Sequence, residues 1–199
     1  MGAGTTLTSS GSGAITFGNT LNGAQTLAIN TSGVTTFTGA VGDTTALTSL
    51  TTDAGTAGSV AINGGSVTTT GAQIYGEAAT LGAATTLTST GLGAITFGNT
   101  LNGAQTLAIN TSGITTFTGT VGNSTALTSL TTDAGTAGSV AINGGVVNTT
   151  GAQSFSDAAT LGADTTLTST GSGAITFGST LNGAQALAVS TSGITTFGG

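Results

Sequence analysis

The chain repeats itself at two nested intervals, and this repetition limits the possible fold more than any other feature of the sequence. Residues 1–80 and 81–160 are identical at 66 of 80 aligned positions, and residues 81–119 and 161–199 at 32 of 39. Within each 80-residue unit, apolar residues recur with a 20-residue period. Periods of this length are typical of solenoids, in which each repeat buries its apolar side against the next.

Three positions of the 20-residue period carry apolar side chains. The first position is Leu or Val throughout: Leu7, Leu27, Leu47, Val67, Leu87, Leu107, Leu127, Val147, Leu167 and Leu187. The second holds Leu21, Val41, Ala61, Leu81, Leu101, Val121, Ala141, Leu161 and Leu181. The third holds Phe17, Phe37, Phe97, Phe117, Phe177 and Phe197, with Ala57 and Ala137 in the same register. Each series predicts a column of side chains stacked inside the solenoid.

The composition predicts strands rather than helices. Gly, Thr, Ser and Asn are poor helix formers, and Thr, Val, Ile and Phe occur in short runs between Gly and Asn. A mean hydropathy of +0.38 argues against disorder. Strand alternation places pairs such as Val60 and Ile62 on one inward side. Corners are expected at Asn22-Gly23, Asn63-Gly64-Gly65 and Asn182-Gly183, where a positive φ is easily adopted.

We therefore predict a single all-β domain over residues 1–199, a parallel β-solenoid with a right-handed coil. It would have about ten 20-residue turns, four to each 80-residue unit, and a length of roughly 48 Å. Its units are residues 1–80, 81–160 and the partial unit 161–199, and we expect the chain to be a fragment of a longer array. An antiparallel sandwich or barrel is the alternative, but a fold built from hairpins does not require a 20-residue period.

The chain has no Lys, Arg, His, Cys, Pro or Trp, and these absences exclude most kinds of chemistry. Nucleophilic triads and histidine general bases need residue types that the chain lacks. Without cationic side chains it cannot neutralise phosphates, so we expect no nucleic-acid partner. No apolar run reaches the length of a membrane-spanning helix, so we expect no membrane insertion. We predict that the protein is not an enzyme and that it has no catalytic, cofactor-binding or metal site.

The six acidic residues are interpreted as solubilising surface charges: Asp43, Asp53, Glu77, Asp133, Asp157 and Asp164. The pairs Asp53/Asp133 and Glu77/Asp157 are equivalent positions in successive units. Four predicted turns would separate the members of each pair by roughly 19 Å, which is too far for the two carboxylates of a glycosidase. The Gly64-Gly65 segment lacks the Asp of calcium-binding Gly-Gly-x-Gly-x-Asp repeats, so repeated calcium sites are not expected.

Several segments resemble a known class of repeats. Gly13-Ala-Ile-Thr-Phe-Gly, Leu21-Asn-Gly-Ala-Gln-Thr-Leu and Thr68-Thr-Thr-Gly-Ala-Gln are similar to the β-strand repeats of large bacterial adhesins. Within this class, they resemble the repeats of the filamentous-haemagglutinin-type exoproteins and the related autotransporter passengers. The resemblance implies a right-handed parallel β-helix, an extracellular or cell-surface location and a role as fibre or stalk. It carries over no catalytic or binding residues.

A series of outward threonines supports an alternative function, ice binding. Stacked Thr columns on a flat solenoid face can order water, and one such column is predicted from Thr16, Thr36, Thr56, Thr96, Thr116, Thr136, Thr176 and Thr196. The simpler interpretation is that Thr is the favoured polar residue of strands. Our main hypothesis is therefore a structural stalk or fibre segment of an adhesin, whose glycan or protein receptor is unknown. Because no cation or proline protects the strand edges, we also expect end-to-end or lateral self-association.

Overall fold

The chain forms a parallel β-solenoid with three faces. The computed structural model describes residues 1–53, 58–132 and 138–199, and within these ranges every regular element is a β-strand. All pairings between the named strands are parallel. On every turn the chain passes through three sheets in the same order, which we call faces A, B and C. The predicted parallel β-solenoid is confirmed.

The strands stack along each face as follows. Face A contains β1 (Thr5–Ser9), β3 (Thr26–Thr31), β5 (Ser49–Thr52), β8 (Gln73–Tyr75), β11 (Ile95–Phe97), β14 (Ile114–Phe117), β16 (Ser139–Ile142), β19 (Ala158–Leu161) and β22 (Leu181–Asn182). Face B contains β2 (Ile15–Phe17), β4 (Val34–Phe37), β6 (Ser59–Ile62), β9 (Ala78–Leu81), β12 (Leu101–Asn102), β17 (Val146–Thr149), β20 (Thr165–Ser169) and β23 (Leu187–Thr191). Face C contains β7 (Ser66–Thr69), β10 (Thr85–Ser89), β13 (Thr106–Thr111), β15 (Ser129–Thr132), β18 (Gln153–Phe155), β21 (Ile175–Phe177) and β24 (Thr195–Phe197). Single-residue bridges at Leu21 and Val41 continue face C, and a bridge at Val121 continues face B.

A turn of the solenoid is on average two residues longer than the predicted 20-residue turn. Thr6 and Asn182 lie in one column of face A and are eight turns apart, which gives a mean of twenty-two residues for each turn. The longest turn leads from Thr116 to Ala141, and the shortest from Ala141 to Thr160. The rod therefore has about eight turns instead of ten, and at a strand spacing of about 4.8 Å it is about 38 Å long.

The longer turn follows from the number of strand positions in a unit. A unit of four turns with three faces each would need twelve strand positions, but the described strands and bridges of a unit supply eleven. One stretch that adds residues without adding a strand is the loop Gly42–Ala46, which interrupts face C between Val41 and Leu47. Its first residue, Gly42, has φ of +71°, and an added Cβ would lie 2.1 Å from the Thr68 carbonyl oxygen. Eleven positions on three faces make 3⅔ turns per unit.

Successive units are consequently rotated by a third of a turn about the solenoid axis. The equivalent strands β1, β10 and β20 lie on faces A, C and B, respectively. Stacked aromatic pairs show the same rotation. The pairs Phe17–Phe37, Phe97–Phe117 and Phe177–Phe197 occupy faces B, A and C, with ring centroids 5.2, 5.7 and 5.6 Å apart. An equivalent residue would lie on the same face again only after three units, which make eleven whole turns.

One continuous core fills the space between the three faces. Inward and outward residues alternate along the strands, as in β6, where Val60 and Ile62 are buried and Ser59 and Ala61 are not. The buried members of the Leu/Val series confirm its predicted inward orientation, but the series passes from face to face and does not form one column. Ala61 and Ala141, by contrast, point outward. The corner glycines Gly23, Gly65 and Gly183 have the predicted positive φ.

Candidate functional site

The predicted threonine column is divided among the three faces. Thr16 pairs with Thr36 on face B, Thr96 with Thr116 on face A, and Thr176 with Thr196 on face C. Thr56 and Thr136 lie outside the described residues. The six described residues are therefore three separate pairs, one on each face. Residues of other types continue each column beyond the pair, for example Ala61 beside Thr36, and Ile74 beside Thr96.

Threonines of these pairs alternate with buried residues along their strands. Thr96 lies between the buried Ile95 and Phe97, and Thr176 between the buried Ile175 and Phe177. Their columns, however, hold Thr in no more than two consecutive described turns. The stacked threonines on which the ice-binding hypothesis depends are therefore present, among the described residues, only as pairs.

Polar side chains gather at one corner between faces A and B. The Asp53 carboxylate follows β5 and accepts a hydrogen bond from the Thr31 backbone N–H of the preceding turn. The Asn30 side-chain amide, oriented with its nitrogen toward Asp53, donates to the other carboxylate oxygen at 3.1 Å. An open depression of about 290 Å³ lies beside them and is lined by Thr8, Ser9, Asn30, Thr31, Ser32 and Asp53. Asp53 thus holds adjacent turns together.

Glu77, next to this corner, is buried, which contradicts the prediction that the acids are surface charges. Its exposed fraction is 1%, and that of the equivalent Asp157 is 6%. Asp43, in contrast, is exposed as predicted, whereas Asp133 lies outside the described residues. Glu77 follows β8 on face A and Asp157 follows β18 on face C, so the two acids are a unit apart and point in different directions.

Burial raises the pKa of Glu77. The backbone N–H of Glu77 and the nearby Thr52 hydroxyl lower this pKa in part, and the negative charge of Asp53 raises it further. Neither carboxyl oxygen reaches hydrogen-bond geometry with any residue that the structure describes, Thr52 included. Ionised Glu77 is therefore poorly stabilised in the folded protein.

The pH dependence of stability tests this description of Glu77. The unfolded chain ionises Glu77 near the ordinary pKa of about 4.3, and the folded protein does so at higher pH. Stability from this group is therefore complete below the unfolded pKa and is lost as pH rises through the folded pKa. For Glu77→Gln, we expect the difference in unfolding free energy from the native protein to move in favour of the variant between pH 4 and pH 8. Denaturant titrations at several pH values measure this difference.

The control for this prediction is Asp43→Asn, which removes the same charge at an exposed position. Its difference from the native protein is expected to stay nearly constant over the same pH range. If Glu77→Gln behaved like Asp43→Asn at every pH, the Glu77 carboxyl would not be the source of the pH dependence.

A buried hydrogen-bond network distinguishes the first unit from the second. The Gln73 amide nitrogen donates to the carbonyl oxygens of Val67 (3.2 Å) and Thr88 (2.9 Å), linking neighbouring turns. The Tyr75 hydroxyl donates to Gln73 Oε1 at 2.9 Å. In the second unit Gln153 repeats the donor bonds, but Phe155 replaces the tyrosine. Gln153 Oε1 consequently has no hydrogen-bond partner among the described residues.

This difference predicts opposite effects for two exchanges. Tyr75→Phe leaves a buried acceptor unsatisfied and is expected to lower the free energy of unfolding by about 1–3 kcal/mol. Phe155→Tyr supplies the missing donor and is expected to raise it by about 1 kcal/mol. The two rings have equivalent neighbours, because Phe155 stacks on Phe177 at 5.1 Å as Tyr75 stacks on Phe97. Denaturant unfolding of the two variants measures both changes, and a loss of stability in Phe155→Tyr would contradict the prediction.

These observations define what the surface can do chemically. No described strand contains an acidic residue, so outward Thr, Ser, Ala and Asn side chains give the three faces neutral, hydroxyl-rich surfaces. Within residues 1–53, 58–132 and 138–199, no group of three or more acidic side chains is placed to hold a metal ion. The sequence carried one signal for the Gln73 network. Gln73 is unchanged as Gln153 in the second unit, whereas the nearby Tyr75 is replaced by Phe155. Strand alternation gives Glu77 the same inward parity as Tyr75 and Ala79, but a carboxylate is ordinarily expected outside, so its burial was missed.

Comparison with known proteins adds no further assignment. Among the described residues, no helix is long and apolar enough to cross a membrane. No family model, no curated protein and no solved structure matches the chain.

Proposed function

We propose that the chain is a structural segment, a stiff non-catalytic stalk or fibre of a bacterial surface or secreted adhesin, located outside the cell or on its surface. The observation that carries the proposal is the uninterrupted core, which runs through all eight turns and is enclosed by three ladders of parallel strands. The likeness of the repeats to those of large adhesins supports the cellular role.

The interactions along the rod favour stiffness. Apart from those at the two ends of the rod, the strands bond to the strand or bridge above and below them on the same face, so bending must strain three ladders at once. Aromatic stacks add contacts between turns, as in the series Tyr75, Phe97 and Phe117. Each 80-residue unit contributes about 18 Å of length for its 3⅔ turns, and a rod of this kind can hold a binding domain away from the cell.

A non-catalytic role is supported by the residue types and by their positions. The whole chain lacks His, Cys, Lys and Arg, which supply most nucleophiles, bases and anion-binding groups of enzymes. Asp53 accepts hydrogen bonds that join adjacent turns, and the buried Glu77 faces the interior.

Electron microscopy of the cells that produce the protein tests the proposal. Gold-labelled antibodies against this chain are expected to bind intact cells, with the label outside the envelope. Antibodies against a cytoplasmic protein of the same cells provide the control for envelope integrity. Labelling that appeared only after permeabilisation would refute the surface location. Negative-stain images of the isolated protein should show straight rods of constant width, and globular particles would refute the stalk.

Lateral self-association of these rods is a second part of the proposal. The described strands of the three faces carry no charged side chain that would repel the face of a neighbouring rod. We expect the sedimentation coefficient to rise with protein concentration and the double variant Thr96→Asp/Thr116→Asp, which charges face A, to reduce this rise. Asn19→Asp/Asn99→Asp places the same two charges in the exposed turns after β2 and β11 and serves as the control. A concentration-independent sedimentation coefficient of the native chain would exclude the association.

A further inference from the structure

The 80-residue unit does not close on a whole number of turns, and this has a consequence for any array built from it. We infer that the rod changes length in steps of one unit, and that each step rotates everything beyond it by a third of a turn. The inference goes beyond the stalk function, because it concerns the geometry of the array whatever the rod carries.

Adding or removing a whole unit preserves the inward and outward alternation of the strand at the junction. Thr80 and Thr160 are exposed, and the residues that follow them, Leu81 and Leu161, are buried in the core. Every junction between whole units is therefore a Thr-Leu step within the same strand. The turn that follows the junction would also pack against nearly the same residues as in the native chain, because 66 of 80 positions are identical in the first two units.

Adding three 20-residue periods does not preserve this alternation, although the sequence period alone treats both additions as equivalent. A copy of residues 81–140 inserted after Thr160 would end at Val140 and continue with Leu161. Both residues are buried in the native structure, and neighbouring residues of a strand point to opposite sides of the sheet. One of the two would have to face solvent, or the strand would have to form a bulge.

The rotation also decides what a binding partner meets. Val34, Ile114 and Ile194 are equivalent exposed apolar residues. Val34 and Ile114 begin β4 and β14 on faces B and A, and Ile194 directly precedes β24 on face C. A partner that approaches from one side therefore meets an equivalent position only after three units and eleven turns, or about 53 Å. A partner that contacts every unit has to follow the rod around its axis.

Insertion variants test the unit step in the full chain. A second copy of residues 81–160 placed after Thr160 is expected to leave the thermal midpoint no lower than that of the native protein. Residues 81–140 placed at the same point are expected to lower it by about 5 °C or more. Circular dichroism monitors both melts. An equal midpoint in the two variants would overturn the inference, and so would a lower midpoint in the 80-residue variant.

A deletion with cysteine pairs tests the rotation. Removing residues 81–160 should bring Thr176 into the place of Thr96, which pairs with Ile74. The chain has no native cysteine, and Cα atoms of adjacent strands are about 4.8 Å apart, within disulfide range. Ile74→Cys/Thr176→Cys is expected to cross-link in the deletion variant. In the full chain, where 4⅔ turns or about 22 Å separate the two positions, it is not expected to do so.

The second cysteine pair makes the rotation test decisive, and the insertion variants test the unit step independently of it. Gly76→Cys/Thr176→Cys joins the positions that a 20-residue turn would place together, so its cross-linking in preference to the Ile74 pair would overturn the rotation. If the shortened chain did not fold, the melts of the two insertion variants would still support or refute the unit step.

Discussion

Phe117→Ala is expected to lower the free energy of unfolding by about 3–5 kcal/mol, the range for truncating a buried aromatic side chain. Phe117 is fully buried on face A, and its ring stacks on Phe97, which stacks on Tyr75 at 5.1 Å. The exchange would leave a cavity in place of the last of these three stacked rings, at the centre of the rod. The surrounding ladders fix the distance between turns, so the neighbouring strands cannot close the cavity without breaking backbone hydrogen bonds. Denaturant unfolding followed by circular dichroism measures the loss.

The chain supplies a matched control in Phe197, the same residue one unit later. Phe197 lies on face C and stacks on Phe177 at 5.6 Å, but 56% of it is exposed. Phe197→Ala is therefore expected to cost about 1 kcal/mol, because much of the side chain already contacts water. Similar losses in the two variants would mean that the position within the unit, and not burial in the rod, decides the contribution of the ring.

The sequence was sufficient for the fold class because the period requires stacking. Leu27, Leu87 and Leu167 are inward as predicted, and all belong to one core. The length of a turn could not be read from the same period. It depends on how many residues each corner uses, and the loop Gly42–Ala46 lengthens a turn without changing the spacing of the apolar residues. A constant sequence period can therefore produce turns that are shorter or longer than the period itself.

The same limitation explains the outcome for the candidate residues. The outward position of Thr96 depends only on local alternation between the buried Ile95 and Phe97. Which residue lies beside Thr96 depends on the register between turns, and the neighbour below is Ile74 instead of position 76. The burial of Glu77 also follows from the path of the chain around a corner. Strand alternation between Tyr75 and Ala79 places Glu77 inward, but a carboxylate would ordinarily be expected outside.

Gly64→Ala is expected to lower the free energy of unfolding by about 3 kcal/mol, at the upper end of the usual cost of overpacking. A Cβ at Gly64 would lie 2.0 Å from the carbonyl oxygen of Gly39 and 2.1 Å from its carbonyl carbon, which are backbone atoms of the preceding turn. These atoms cannot rotate away as a side chain could. The adjacent Asn63 N–H donates to the Phe37 carbonyl at 2.9 Å, so relieving the clash would stretch the hydrogen bonds between two turns.

Two further glycine variants make this prediction specific for contact between turns. Gly18→Ala should be neutral or stabilising by about 0.4–1 kcal/mol, because nothing lies within 4 Å of its added Cβ and alanine reduces the entropy of the unfolded chain. Gly144→Ala should cost as much as Gly64→Ala. Its Cβ would lie 2.0 Å from the Gly119 carbonyl oxygen, at a corner a third of a turn away around the rod. If Gly64→Ala and Gly144→Ala were as stable as Gly18→Ala, the register that brings Phe37 beside Ile62, and Phe117 beside Ile142, would be wrong. The 3⅔-turn unit depends on that register and would be wrong with it.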